Sequence, residues 1–209
     1  MPALEPTRLP SFCRVQTTIH MKRPLSHAKS GFSLIELVIT MTILSILVGV
    51  VSFRSGAVVE KSKISKISSL VDTLKTSCAL YHSDVGSYAR EYTNYAASNR
   101  QLSGTQTTAG WAGPYLETPL AHNNHNPYGQ LHVYNSVTAN GWIPGFDLDG
   151  DGTADVTGAG NMLYLASLPA EAAKILNDTF DSGVAGNWQD TGRVRYQSGS
   201  RRAQVLVYY

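Results

Sequence analysis

Two cysteines, Cys13 and Cys78, are all that the 209 residues contain, so no dense disulfide framework holds this chain together. Catalytic signatures are missing as well. There is no Gly-x-Ser-x-Gly, no His-Glu-x-x-His and no Gly-x-x-x-x-Gly-Lys, which leaves nucleophilic, zinc and phosphate-cradling chemistry without equipment. The expectation is a protein that is not an enzyme. No internal repeat and no low-complexity tract occurs. Charge is nearly balanced, with 17 basic against 15 acidic residues, and this gives no reason to expect a nucleic-acid partner.

What the chain does have is one long uncharged stretch. Between Phe32 and Phe53 the only charged residue is Glu36. As a helix rising ~1.5 Å per residue, this stretch matches the ~30 Å hydrocarbon core of a bilayer. A lone carboxylate there costs a few kcal/mol, so Glu36 is expected to be functional and to have a partner. Lys22, Arg23 and Lys29 precede the span and place that side in the cytoplasm. A secretory signal peptide would put its apolar core before the small-residue cleavage site, whereas here Gly31 stands before the core.

The run Gly31-Phe32-Ser33-Leu34-Ile35-Glu36, a glycine followed by Phe and then Glu at the head of an apolar helix, resembles the type IV prepilin signature shared by type IV pilins and the pseudopilins of type II secretion. The resemblance implies that a membrane-embedded prepilin peptidase cuts between Gly31 and Phe32 and N-methylates the new Phe32 amine. Glu36 would then pair with the Phe32 amine of a neighbouring subunit, which supplies the counter-charge a buried carboxylate requires. It also implies self-association into a helical filament through this helix, an inner-membrane assembly platform, and other, minor pilins as partners. The implied location is the bacterial inner membrane, with a cytoplasmic leader and a periplasmic head, and then a periplasmic or extracellular filament.

Cleavage after Gly31 divides the charge. The leader, 1–31, holds five of the 17 basic residues and one of the 15 acids, so it carries +4 and the remainder −2. A leader of this length is long for the family, and Met21 would begin a compact one. Cys13 falls in the leader, which leaves Cys78 alone in the mature chain and no intrachain disulfide. Many pilins close a C-terminal loop with a disulfide; this chain needs another staple.

Helical periodicity continues beyond the span. Ile64, Ile67, Val71, Leu74, Cys78 and Tyr81 draw one apolar stripe, while Lys61, Lys63, Lys66, Asp72 and Lys75 occupy other faces. The stripe reads as core packing, and Cys78 on it as a small buried hydrophobe. The turn-forming Asp84-Val85-Gly86-Ser87 ends the helix. This predicts one helix of about 50 residues in two parts, 32–53 for membrane and assembly and 54–84 amphipathic, followed by a head at 85–209. Residues 88–108 are polar and aperiodic, and read as a surface connection. Gly110-Trp111-Ala112-Gly113-Pro114-Tyr115-Leu116 and Asn126-Pro127-Tyr128-Gly129 resemble the post-helix stretch of major pseudopilins, with Asn126 and Tyr128 replacing the usual Asp and Trp. Leu131-His132-Val133-Tyr134 then alternates as a strand. Later, Pro169 opens a short helix through Leu176, and Val205-Leu206-Val207-Tyr208-Tyr209 is an apolar strand.

The strongest chemical motif runs from Asp147 to Asp155. Asp147, Asp149, Asp151 and Asp155 alternate with other residues and would repel one another unless a cation sat among them. Asp147, Asp149 and Asp151 can each offer a carboxylate oxygen, Thr153 its carbonyl, and Asp155 a direct or water-bridged contact. Gly152 permits the bend, as in an EF-hand loop. Gly158 stands where that loop would supply its bidentate Glu, so this is a calcium-type loop outside an EF-hand. The alternative is a solvated Asp/Gly turn. Calcium loops in pilin and pseudopilin heads support the first reading by analogy.

Two other groups are weaker. His122 and His125 have a metal-like spacing but lie among asparagines, without Cys or Glu support. Arg193 and Arg195 would share one strand face, with Arg201-Arg202 following; a solvated face suits them better than a docking or DNA-contact patch. The combined expectation is an α+β protein: a long N-terminal helix, half transmembrane and half amphipathic, and a pilin-like head with an antiparallel sheet. Its expected function is as a structural subunit of a type IV-like filament, a type II secretion pseudopilin ahead of a type IV pilus pilin, with a membrane-anchored calcium-binding adhesin or enzyme as the reading from another class.

Two substitutions test the processing signature. Gly31→Ala should leave an unprocessed membrane precursor, because the resemblance implies a peptidase that requires glycine itself before the cut. Glu36→Ala should be processed but assemble poorly. Intact-mass analysis and filament shearing check both, and normal filaments from the Glu36 variant would contradict the pairing with the Phe32 amine.

Overall fold

The computed structural model describes residues 31–92, 97–121, 125–139, 141 and 143–209. Residues 1–30, with Cys13, Met21, Lys22, Arg23 and Lys29, and also His122, lie outside the described residues. The chain forms two compact units, Met1–Leu47 and Val48–Tyr209.

Helix α1 runs from Leu34 to Val85, 52 residues, close to the length expected from the periodicity. Its first 18 residues, Leu34–Val51, have a mean hydropathy of 2.5, and none of them is buried. That segment is long and apolar enough to cross a membrane. Farther along, Ile64, Ile67, Val71, Leu74, Cys78 and Tyr81 are all at most 2% exposed, so the 3-4 spacing does mark the core-facing stripe. Burial pushes the Cys78 thiol up to about 12, which leaves it protonated and unreactive in the folded chain.

Five antiparallel strands make the sheet of the second unit: β1 Glu91–Tyr92, β2 Leu131–Ser136, β3 Ala159–Leu165, β4 Val194–Gln197 and β5 Arg202–Tyr208, in the order β1-β2-β3-β5-β4. This is the α+β architecture expected. A second helix, α2, spans Ala170–Phe180 and starts after Pro169, whose missing N–H costs nothing at that position. Leu131, Val133, Leu163, Leu165, Val205 and Val207 pack with the α1 stripe and with Ala172, Ala173 and Leu176 of α2. The opposite face of the sheet carries a smaller cluster of Val137, Ile143, Phe146, Val156, Met162 and Leu206. Alternation along β3 and β5 sends Met162 and Leu206 to this second side, and Phe146 and Val156 come from the acidic loop that covers it.

Two expectations are corrected here, and one strand was not anticipated. Residues 88–108 are more than a surface connection, because Ala89, Glu91 and Leu102 are fully buried and β1 pairs with β2. Glu91 makes that possible: its carboxylate accepts the N–H groups of Leu102 at 3.0 Å and Ser103 at 3.3 Å, and the Ser103 hydroxyl. Burial raises its pKa, and those donors hold the rise in check. Strand β3 was not legible, since it is central and buried on both faces and therefore lacks alternation. Second, Arg193 and Arg195 do not form a solvated face. Arg193 donates to the Leu206 carbonyl at 3.0 Å and lies over the Phe180 ring, and Arg195 donates to the Gly145 carbonyl at 3.0 Å.

Two segments fasten the head to α1. The Tyr115 carbonyl accepts the Ser77 hydroxyl at 2.9 Å, and the Tyr115 hydroxyl donates to Asp84 at 2.8 Å. In the Asn126-Pro127-Tyr128-Gly129 turn, buried Asn126 accepts the Tyr128 N–H at 3.1 Å and donates to the Gln130 carbonyl. The Tyr128 hydroxyl then reaches Glu60 at 2.7 Å, with the Lys63 ammonium over its ring.

Candidate functional site

Processing chemistry would act where the apolar helix begins. Gly31 is exposed, and a Cβ added there would meet nothing within 4 Å. Phe32 is 82% exposed. Glu36 stands exposed in the first turn of α1, where a carboxylate interacts favourably with the helix dipole. All three are thus open to another molecule.

The acidic loop is closed at its base by a bridge between Phe146 and Val156, whose N–H and carbonyl groups exchange bonds of 2.9 and 3.1 Å. Burying both side chains in the second cluster anchors this bridge to the sheet. Within the loop, Asp147 folds inward. Its two carboxylate oxygens accept N–H groups from Gly150 at 2.8 Å and Gly152 at 2.9 Å. Burial acts to raise its pKa, but these backbone donors, with Asp151 and Asp149, hold it below the usual carboxylate value. Asp149 and Asp151 each accept the N–H two residues on, at 3.0 and 2.7 Å, which shapes the loop as successive Asx turns.

The outcome is convergence. One oxygen each from Asp147, Asp149 and Asp151 lies within 4.8 Å of the others. Asp149 and Asp151 accept backbone N–H groups at Oδ1, and the three carboxylates together make an all-oxygen donor set suited to a hard cation. Asp155 is placed differently from the expectation. Its carboxylate accepts the Leu148 N–H at 2.7 Å across the base of the loop, and it stands outside the group of three. Thr153 is exposed, and its N–H is the donor to Asp151. His125 is turned to its own chain, with Nδ1 at 3.0 Å from the Ala121 N–H.

A second loop, which no motif marked, locks the first. The Gly192 N–H donates to the Asp147 carbonyl at 2.6 Å. Asp181, buried at the end of α2, accepts the N–H groups of Arg193 and Val194, each at 2.8 Å, and so holds the strand that follows Gly192. Gly150, at φ +80°, faces Ala185: a Cβ there would lie 2.1 Å from the Ala185 carbonyl oxygen. In the sequence this region shows an acidic-Gly turn, Asp181-Ser182-Gly183, and little else that marks an organised loop.

Residues 26–52 match the family model of the prokaryotic N-terminal methylation motif. That motif is the signature of type IV pilins and pseudopilins, and this chain carries it across Gly31, Phe32, Glu36 and most of the apolar span. It is the mark of a type IV pilin-like filament subunit in general. No curated protein and no solved structure matches the chain significantly.

The meshing of the two loops makes a discriminating prediction. Gly150→Ala should destabilise the head more than Gly152→Ala. Both residues need positive φ, which costs a non-glycine residue ~1–2 kcal/mol, but only at Gly150 must a backbone carbonyl also move. Thermal melts of the two variants measure the difference, and equal melting temperatures would mean that the loops are not packed together.

Proposed function

We propose that this protein is a structural subunit of a type IV-like filament, built as a type II secretion pseudopilin. In this reading prepilin peptidase cuts after Gly31 and methylates Phe32, and Glu36 meets the Phe32 amine of a neighbour. The observation that carries it is the wholly unburied apolar helix Leu34–Val51, preceded by Gly31-Phe32-Ser33 and holding Glu36 in its first turn. Such a helix needs a bilayer or another protein surface, copies of itself included, to cover it. The assembly platform and minor pilins are its further partners, with the head in the periplasm. No catalytic role is assigned.

The pseudopilin reading draws on the Gly113-Pro114-Tyr115-Leu116 stretch and on the acidic loop. A type IV pilus pilin is the second reading, favoured by the size of the segment after the loop, which supplies three of the five strands. Deleting the gene separates them. Loss of secretion with surface filaments intact supports the pseudopilin, loss of surface filaments with secretion intact supports the pilus pilin, and neither phenotype would contradict both.

We further propose calcium as the occupant of the acidic loop, held by Asp147, Asp149 and Asp151, with the Thr153 carbonyl and a water bridged to Asp155 completing the set. The cation would neutralise the mutual repulsion of the three carboxylates and stabilise the loop that covers the second core cluster. Binding only to the folded head contributes ~2.7 kcal/mol at a hundredfold excess over Kd, or roughly 5–10 °C for a chain of this size. The melting temperature should therefore fall by that order in chelator, and Asp149→Ala or Asp151→Ala should abolish the response. An identical wild-type melting temperature with calcium and with chelator would mean that the loop is only an acidic turn.

A further inference from the structure

Apolar exposure on α1 continues past the span. Val58 and Val59 are 66% and 52% exposed, although both lie beyond Val51. Lys61 comes two residues later, exposed and without an ion pair among the described residues. Beside it a hollow of about 310 Å³ opens between α1 and α2, lined by Lys61, Ile64, Ser65, Ser68, Ile175 and Thr179. Among the described residues no carboxylate lines it. Glu60 is held by Lys63 at 3.2 Å and by the Tyr128 hydroxyl at 2.7 Å, and Asp178 by Lys174 at 3.1 Å. Asp72 lies a turn beyond Ser68 on α1, and Glu171 a turn before Ile175 on α2. At the α2 side the Ile175 and Asn177 carbonyls already accept the Thr179 hydroxyl and the Asp181 N–H, each at 2.7 Å. What the hollow offers a ligand is one ammonium, two serine hydroxyls and two isoleucine side chains. That set suits an anion that also carries hydroxyl groups.

Position along α1 says which anion is at hand. The ~30 Å hydrocarbon core takes about 20 helical residues, and headgroups extend it by ~5–7 Å on each side. A span that starts at Leu34 therefore leaves hydrocarbon at about residue 53 and brings Val58 and Val59 to the outer edge of the headgroups. Lys61 stands ~12 Å past the core. Helical side chains lean toward the helix N-terminus, which on α1 is back toward the span, and a lysine stem can snorkel in that direction. We propose that Lys61 and the hollow beside it bind the headgroup of an anionic phospholipid that carries hydroxyls, from the bilayer that covers the span. The phosphate, nearer the bilayer, meets the Lys61 ammonium. The hydroxyls, farther out, meet Ser65 and Ser68, one and two turns beyond. A lipid held there touches both α1 and α2 and so fixes the head against the membrane surface. The inference rests on the membrane reading of Leu34–Val51 and adds a lipid contact of the head.

The test is lysine footprinting of the full chain in nanodiscs of phosphatidylglycerol or of phosphatidylcholine, by brief acetylation and peptide mass analysis. Lys61 should react severalfold more slowly in phosphatidylglycerol. Lys75, exposed and ~21 Å farther along α1, should react equally in both lipids. Ser65→Ala combined with Ser68→Ala should return much of the lost Lys61 reactivity. Equal Lys61 reactivity in the two lipids overturns the proposal. Protection untouched by the double serine variant overturns the hollow as a headgroup site, since a lysine drawn to any anionic surface would behave that way. Protection by millimolar inorganic phosphate in detergent, with no phospholipid present, overturns a lipid as the occupant. A chain that does not enter nanodiscs at all contradicts the membrane reading itself, whereas an inserted chain with unprotected Lys61 leaves that reading standing.

Discussion

An apolar helix that buries none of its own side chains has to be covered by something else. From Leu34 to Val51 every side chain of α1 is available to hydrocarbon or to another copy. The one charged residue there, Glu36, sits in the first turn, four residues from the Phe32 amine that cleavage would expose. That constraint organises the protein. Before assembly a bilayer can cover the helix, and after assembly other helices must, so leaving the membrane requires that a neighbour replace the lipid. In either setting Glu36 needs a positive partner, because an unpaired carboxylate is costly in a low-dielectric surrounding.

Beyond the span the same helix turns from uncovered to core. The stripe from Ile64 to Tyr81 buries against one face of a five-stranded sheet, and the acidic loop seals the other face through Phe146 and Val156. A head with no disulfide among its described residues is thus held by two hydrophobic layers and by specific polar links, of which Tyr128 to Glu60 and Glu91 to Leu102 and Ser103 are the clearest. The acidic loop matters to the fold as much as to any ligand. Its Asp147 backbone is tied to Gly192, and Gly150 packs on Ala185, so whatever changes the charge of the loop is felt in the second loop as well.

Much of this was legible in the sequence where one principle acts alone. The α1 stripe is pure 3.6-residue periodicity, and its burial follows residue by residue. The helix after Pro169 and the strand ending in Val205-Leu206-Val207 were legible for similar reasons. The central strand β3 was not, because burial on both faces removes the alternation that marks a strand. Glu91 escaped notice since a polar residue in a polar stretch gives no sign that it is buried. Arg193 and Arg195 were misjudged because their guanidinium groups are held by the Leu206 and Gly145 carbonyls, distant in the chain, which no local pattern encodes. In the acidic loop the alternation of Asp147, Asp149 and Asp151 foretold their convergence. The separate placement of Asp155 did not follow from spacing, since its carboxylate was as free to join the cluster as to accept the Leu148 N–H.

The filament account stands most directly on the chemistry of one amine. Intact-mass and N-terminal peptide analysis of the chain recovered from its own membranes would decide it. The account predicts a mature protein that begins at Phe32 and carries a methyl group on that residue's amine. A chain that retains residues 1–31, or begins at any residue other than Phe32, would contradict it.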